Sequence, residues 1–221
     1  MNYKLDHIKH LDFFRSLNSE ELDLVSNMSN IVKYPKNSIL YYENDTRNKL
    51  FFLVSGLLKV YKIDKYENEI FLYNIYENSL ISELTTIDNS IIHCFSNAEF
   101  LEDSIILEVD FSGLKNNFLS KNILNNEFID EILKKTHQLH CVVNRELVFD
   151  ATSKVAYMLV DDLDMFNRLK RQEVSFMLHI QPETLSRVLK KLKRSEIIDT
   201  NSSNIITVKD IEALKKIYRG E

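Results

Sequence analysis

Residues 169–198 read LKRQEVSFMLHIQPETLSRVLKKLKRSEII, and their spacing predicts two short helices joined by a tight turn. The first runs from Gln172 to Leu178. His179 and Ile180 turn the chain, and Gln181 opens the second helix with Pro182 at its first helical position. Proline suits that position because the N–H it lacks has no intrahelical partner there. Leu185, Val188, Leu189 and Leu192 recur at helical spacing, so one face packs inward. The other face carries Arg187, Lys190, Lys191, Lys193 and Arg194. Glu183 sits in the first turn, where the helix dipole favours a carboxylate. A second helix that is basic outside and polar at its N-terminal end has the composition of a major-groove reader. A basic run alone would equally suit an ordinary amphipathic helix with a solvated face.

The local pattern separates the two. Glu183, Thr184, Ser186, Arg187, Leu189 and Leu192 resemble the E-T-x-S-R-x-L-x-x-L signature of the Crp/Fnr superfamily of bacterial transcription regulators. In that resemblance Glu183, Ser186 and Arg187 meet base edges. Side-chain chemistry supports this independently: Arg187 can fork onto guanine O6 and N7, Glu183 can accept from cytosine N4, and Ser186 can contact either a base or a thymine methyl. Gln181, Thr184, Lys190 and Lys191 are expected to hold phosphate and register. The arrangement resembles that of members preferring TTGA half-sites, which gives an expected palindrome resembling TTGA-N6-TCAA, with a TTAAC-type half-site as the alternative. Pro182 stands where cyclic-AMP-type members use another Arg.

The totals agree with a soluble regulator. The chain has 221 residues, 44% of them hydrophobic and 28% charged. It holds no apolar run near the ~18 residues of a membrane span, and its N-terminus, MNYKLDHIKH, has no apolar signal region. Two cysteines, Cys94 and Cys141, fit a reducing cytoplasm and are too few for a four-cysteine iron–sulfur cluster within one chain. Residues 1–150 hold 15 Lys+Arg and 23 Asp+Glu, a net of −8; residues 151–221 hold 13 and 10, a net of +3, and together they give the overall −5. Only the C-terminal part is therefore expected to face phosphate. No nucleophile elbow, P-loop, G-x-G-x-x-G or HExxH motif is present, and three glycines leave little for a phosphate-cradling loop, so an enzyme is not expected.

Upstream, residues 5–14 read as a short helical opening, and Ser19 is the expected N-cap of a helix over Leu17–Val25, with a one-sided cap because Leu22 stands at N3. From about Ile31 short β-branched and aromatic runs follow at near-regular spacing: Ile39–Tyr42, Leu50–Val54, Leu57–Ile63, Glu69–Ile75, Ile91–Ala98 and Ser104–Val109. They predict an antiparallel barrel or sandwich, with a tight hairpin at Gly56. With glycine so scarce, turns are expected at Asn37, Asn44, Asn78 and Asn89. Leu119 to about Leu147 turns helical, roughly 25 residues or ~37 Å. Phe128, Ile132, Leu139 and Val142 or Val143 would offer a seam to a second copy, the alternative being a helix packed only on its own barrel. Phe149 and Asp150 are the expected hinge. Ala151–Met165 is the next helix, Ile205–Val208 a wing strand, and Asp210 the N-cap of the last helix, Ile211–Tyr218.

The front half carries the same resemblance. FFRSLNSEEL (13–22), KYPKNSILYYEND (33–45) and KLFFLVSGLLKVY (49–61) are similar to the superfamily's opening helix, first hairpin and central strand pair, with Gly56 kept and Asn37 and Asn44 where glycines are usual. The resemblance implies an α+β fold: an N-terminal cyclic-nucleotide-binding-type antiparallel β-barrel (1–118), a long dimerisation helix (119–148) and a C-terminal winged helix-turn-helix (149–221). It implies a cytoplasmic homodimer whose partners are double-stranded DNA and RNA polymerase, with no membrane. Departures bear on the signal. Cyclic-AMP binders carry a G-E-x…R-[ST]-A cassette; here Ser82 precedes Glu83, and no Arg or Lys lies between Glu77 and Ala98, so no cyclic AMP is expected and Glu83 reads as a structural acid. No N-terminal cysteine cluster is present, so no iron–sulfur cluster is expected. Haem, a small metabolite, a redox thiol or no ligand remain. QPETLSR resembles the nitric-oxide and nitrosative-stress branch. His93, His137, His140 and Cys141, with His7 and His10 further off, are the candidate haem or metal ligands, three of them at i, i+3, i+4 spacing on one helix.

Overall fold

The computed structural model describes residues 3–84, 86, 90–202 and 204–220. The chain divides into two compact units, Met1–Leu139 and His140–Glu221. The first opens with helix α1 (Tyr3–His10), a 3₁₀ turn at Asp12–Phe14 and helix α2 (Ser19–Asn27). The cap of α2 corrects the sequence expectation. Asn18, not Ser19, is the N-cap: its side chain accepts from the Glu21 N–H at 3.0 Å, and Glu21 accepts from the Asn18 N–H at 2.9 Å. With the cap one residue earlier, Glu21 falls at N3 and the capping box is complete.

Strands β1 (Ser29–Tyr34), β2 (Ile39–Tyr41), β3 (Thr46–Arg47), β4 (Lys49–Ser55), β5 (Leu57–Ile63), β6 (Glu69–Tyr76), β7 (Ser79–Leu80), β8 (Ile92–His93), β9 (Asn97–Phe100) and β10 (Ser104–Asp110) follow. They form antiparallel sheets ordered β1-β10-β4-β7 and β2-β9-β5-β6, with β3 paired to β8. The expected strand over Ile91–Ala98 is two pieces, because Cys94 to Ser96 leave the ladder: the Cys94 N–H bonds the Asp45 carbonyl, and Phe95 and Ser96 bond Glu83. β4 explains its own unbroken apolar run, since it is buried on both faces. Phe51 and Leu53 enter the core between the sheets with Leu58, Val60, Ile75 and Ile106. Leu50, Phe52 and Val54 join the core under the helices with Ile8, Phe14, Val25 and Phe111.

The turn residues behave as their chemistry requires. Asn37, Asn44 and Asn78 have φ of 65°, 70° and 62°, the left-handed region that asparagine tolerates. Their N–H groups bond the carbonyls of Phe100, Cys94 and Leu53. Asn89 lies outside the described residues. Gly56, at φ 106°, turns β4 into β5 so closely against Ser104 that an added Cβ would lie 2.1 Å from its hydroxyl.

Helix α3 (Phe111–Asn117) and a 3₁₀ turn at Leu119–Lys121 lead to α4 (Asn125–Val143). The long helix therefore starts later than expected, because Asn122 and Leu124 take left-handed backbone. It ends in a π-turn, Asn144–Val148, closed by the Phe149 N–H on the Asn144 carbonyl at 2.9 Å. Phe128 also departs from expectation: its ring lies in the core of the first unit beside Phe13 and Phe111 and is not on the exposed seam. No helix among the described residues is long and apolar enough to cross a membrane.

The second unit holds α5 (Ala151–Asp161), α6 (Leu163–Arg168), α7 (Arg171–Met177), α8 (Pro182–Arg194), β11 (Ile198–Thr200), β12 (Ile206–Val208) and α9 (Ile211–Arg219). Asp150 caps α5 through the Ser153 N–H, and Asp210 caps α9 through that of Ala213. The helix expected over Ala151–Met165 breaks at Asp162, whose backbone leaves the helix and whose carboxylate caps α6 at the Met165 N–H. α5 packs on α8 and α9, and Phe149, Tyr157 and Tyr218 meet as a ring cluster.

Candidate nucleic-acid interface

α7 and α8 form the helix-turn-helix. The turn is made by His179 at φ 51°, with the His179 N–H on the Phe176 carbonyl and the Ile180 N–H on that of Ser175. Gln181 is the N-cap of α8, and Pro182 occupies the first turn. Leu185, Val188 and Leu192 are buried, which fixes the rotation of α8. Glu183, Ser186, Arg187 and Lys190 are exposed. They stand at i, i+3, i+4 and i+7, one face of the helix. Gln181 and Lys191 are also exposed, and Thr184 is half-buried.

Two recesses flank that face. One, about 380 Å³, is lined by Arg187, Lys190, Lys191, Arg194 and Ser195: four cations, no acid. The other, about 390 Å³, is lined by Asp150, Thr152, Ser153, Lys191, Leu192, Ser195, Ile197 and Ile217. Lys191 belongs to both. The Asp150 carboxyl is held below the usual range chiefly by the Ser153 backbone N–H, and Lys191 adds to this. Ser195 and Thr152 were not singled out from the sequence, where neither stands in a helical apolar pattern. The wing, β11 paired with β12, is braced by Asn167: its amide donates to the Ile206 carbonyl at 2.9 Å and accepts the Ile206 N–H at 2.8 Å. Arg171 stacks over Phe166 and donates to the Asn204 carbonyl at 2.7 Å.

On α4 the expected seam residues Ile132, Leu139 and Val143 are exposed and Val142 is half-buried; Ile129, Leu133 and Leu147 extend the apolar stripe. Leu139 is 54% and Leu147, in the π-turn, 81% exposed.

The candidate haem or metal ligands sit on β8 and α4. His93 is exposed on β8, His137 and His140 are exposed on α4, and the Cys141 thiol accepts from the Tyr157 hydroxyl at 2.9 Å. Among the described residues no group of three or more His, Cys, Asp or Glu could hold a metal ion. Cys94 is buried, and burial pushes its thiol up to about 11. Glu83 accepts from the Phe95 N–H at 2.7 Å and the Ser96 hydroxyl at 2.5 Å. Near it Lys135 of α4 donates to the Ile81 carbonyl at 3.1 Å, and burial pulls its amine down to about 8 against the opposing pull of Glu83 and Glu131.

Residues 153–217 match the family model of the Crp-like helix-turn-helix domain, and residues 31–120 that of the cyclic nucleotide-binding domain. No curated protein matches the sequence. Among solved structures, a mutant of CooA from Carboxydothermus hydrogenoformans superimposes with a TM-score of 0.72 at 20% identity, covering 99% of this chain and 97% of that one. A transcriptional regulator of the Crp/Fnr family from Eubacterium rectale gives 0.66 at 16% identity over 96% and 99%. FixK2 from Bradyrhizobium japonicum gives 0.64 at 17% over 86% and 96%. At these identities the likeness is one of fold.

Proposed function

We infer that this chain, which belongs to the Crp/Fnr family of DNA-binding transcription regulators, reads its operator as a homodimer through Glu183, Ser186 and Arg187 of α8. The observation that carries the reading is the single exposed face on which those three side chains stand, opposite a face buried by Leu185, Val188 and Leu192. The exposed apolar stripe of α4 supports dimerisation: such a stripe marks an interaction surface, and a second copy of the same stripe would cover it with matching chemistry. Two identical readers require an inverted repeat. In TTGA-N6-TCAA the half-site centres lie about 10 bp, one helical turn or ~34 Å, apart, the spacing a two-fold dimer needs.

The proposed signal is not cyclic AMP. Glu83 already spends both oxygens on Phe95 and Ser96, and the segment from Glu77 to Ala98 supplies no cation for a phosphate. For nitric oxide as the signal, the support is the recognition-helix sequence from Gln181 to Arg187 and its resemblance to the nitrosative-stress branch. Selection of bound duplexes from a random pool, with sedimentation of the free protein, tests the operator and the dimer together. Enrichment of an inverted repeat by a sedimenting dimer is expected. A single unpaired half-site, or a monomer at micromolar concentration, overturns the reading.

A further inference from the structure

The π-turn at Asn144–Val148 is an irregularity of a kind frequently found at functional sites. It directs Glu146 at the helix-turn-helix. One carboxylate oxygen of Glu146 accepts from Arg145 Nε at 2.7 Å. The other lies 2.8 Å from His179 Nδ1 and 3.8 Å from Lys154 Nζ. Burial alone would raise the Glu146 carboxyl, but the bonds to Arg145 and His179 outweigh it and hold the group below its usual range. Both oxygens are therefore committed, and the carboxylate is a fixed anchor and not a mobile surface charge.

The group it anchors occupies an unusual place. His179 takes φ 51°, a left-handed backbone that histidine adopts at a cost of about 1–3 kcal/mol and keeps only when its surroundings insist. Its other ring nitrogen, Nε2, is buried and has no hydrogen-bond partner. His179 is separated from the N-cap of α8, Gln181, by one residue, so the backbone of His179 sets the direction in which α8 leaves the turn.

We propose that Glu146 is a positioning residue for DNA reading: by holding the His179 imidazole it fixes the turn from which α8 departs, and so the angle at which Glu183, Ser186 and Arg187 are presented. The proposal rests on α8 being the helix that reads DNA. A turn held this way lets a change in the π-turn at the end of α4 reach the recognition helix through one side-chain contact. Loss of the contact leaves the basic surface in place, so nonspecific attraction to phosphate survives while the fit to base edges does not.

The test measures the affinity of the full-length protein for its selected operator and for an unrelated duplex, beside its melting temperature. The variants are Glu146→Gln, His179→Asn and the two combined. Glu146→Gln should weaken operator binding about tenfold, the scale of one charge-assisted hydrogen bond, and leave the unrelated duplex nearly unchanged. His179→Asn should lower operator preference similarly while keeping or raising the melting temperature, because asparagine tolerates the left-handed backbone. A merely structural staple would move stability and not specificity. The double variant should be no weaker than the weaker single one, since both remove the same contact. Parallel losses on both duplexes, unchanged operator preference, or additive effects overturn the proposal. If the unsubstituted protein prefers no sequence and Arg187→Ala changes nothing, the reading of α8 itself falls, and the proposal falls with it.

Discussion

Replacing Arg187 with alanine should remove sequence preference without harming the fold. Arg187 is exposed in the middle of α8, on the face opposite Val188 and Leu192, and alanine is at least as good a helix former. Stability should therefore stay within about 0.5 kcal/mol. On DNA the loss is larger. A bidentate arginine–guanine pair is worth about 1–3 kcal/mol of discrimination, and the proposed dimer would lose it in both half-sites, about 2–6 kcal/mol. The gap between specific and nonspecific binding is typically about 4–10 kcal/mol, so much of it would close. Lys191 should behave differently. It lines both recesses beside α8, next to Thr152 and Ser153 at the N-terminus of α5 and next to Arg194 and Ser195, a setting for a phosphate and not for a base edge. Lys191→Ala should weaken every sequence alike and reduce the steepness of the salt dependence by about 0.9 per protomer. Fluorescence anisotropy with a labelled operator and a scrambled duplex, across about 50 to 200 mM salt, separates the two. If Arg187→Ala lowers both duplexes equally, or if Lys191→Ala costs preference, the division of roles along α8 is wrong.

Gly56→Ala should destabilise the first unit by about 2–4 kcal/mol in urea unfolding: about 1–3 for an L-residue at φ 106°, and more for a Cβ placed 2.1 Å from the Ser104 hydroxyl. Adding Ser104→Ala should recover only part, because the Ser104 Cβ would still lie 2.8 Å away. Lys135 gives a pH signature. Its amine titrates in the folded state at about 8, below its ordinary 10.5, so the buried ammonium opposes folding below pH 8 by at most about 3 kcal/mol. That opposition fades as pH rises from about 8 to 10.5, where the unfolded chain holds the proton longer. The unsubstituted protein should therefore gain melting temperature over that window relative to Lys135→Met, and parallel curves would refute the shift. Titration of the purified protein with ferrous haem separates the candidate signals: a saturable Soret band at one haem per subunit, lost in a His or Cys variant, would assign a haem ligand, and a featureless titration would remove haem as the sensor.

What could be read from the chain divides by the range of the interaction involved. Asn37, Asn44 and Asn78 were legible because left-handed backbone is a property of one residue. Pro182 and the apolar face of α8 were legible because capping and helical spacing are properties of a few. The α2 cap was missed by one position because Asn18 and Ser19 are both good N-caps; what decides is which of them sets Glu21 at N3. Phe128 was misplaced because helical spacing marks it as inward without saying toward what. Its partners, Phe13 and Phe111, are remote in sequence. The wing could be foreseen as a strand, but not the amide of Asn167 that braces it from 39 residues away.

The same limit explains why Glu146 passed unnoticed in the sequence. Within a helical stretch a glutamate beside an arginine reads as a solvated pair, and on a regular α-helix it would be one. The π-turn shifts the side chains that follow it by one place around the helix axis, and His179 waits 33 residues downstream. Each half is unremarkable alone; only the fold makes a contact of them. If Glu146 positions the turn as proposed, a regulator of this architecture could retain its whole recognition signature, Glu183, Ser186 and Arg187, and still lose the reading of DNA through a residue outside the helix-turn-helix. A chain carrying the signature but lacking an acid at the π-turn should show the phosphate affinity of its relatives with a flatter sequence preference.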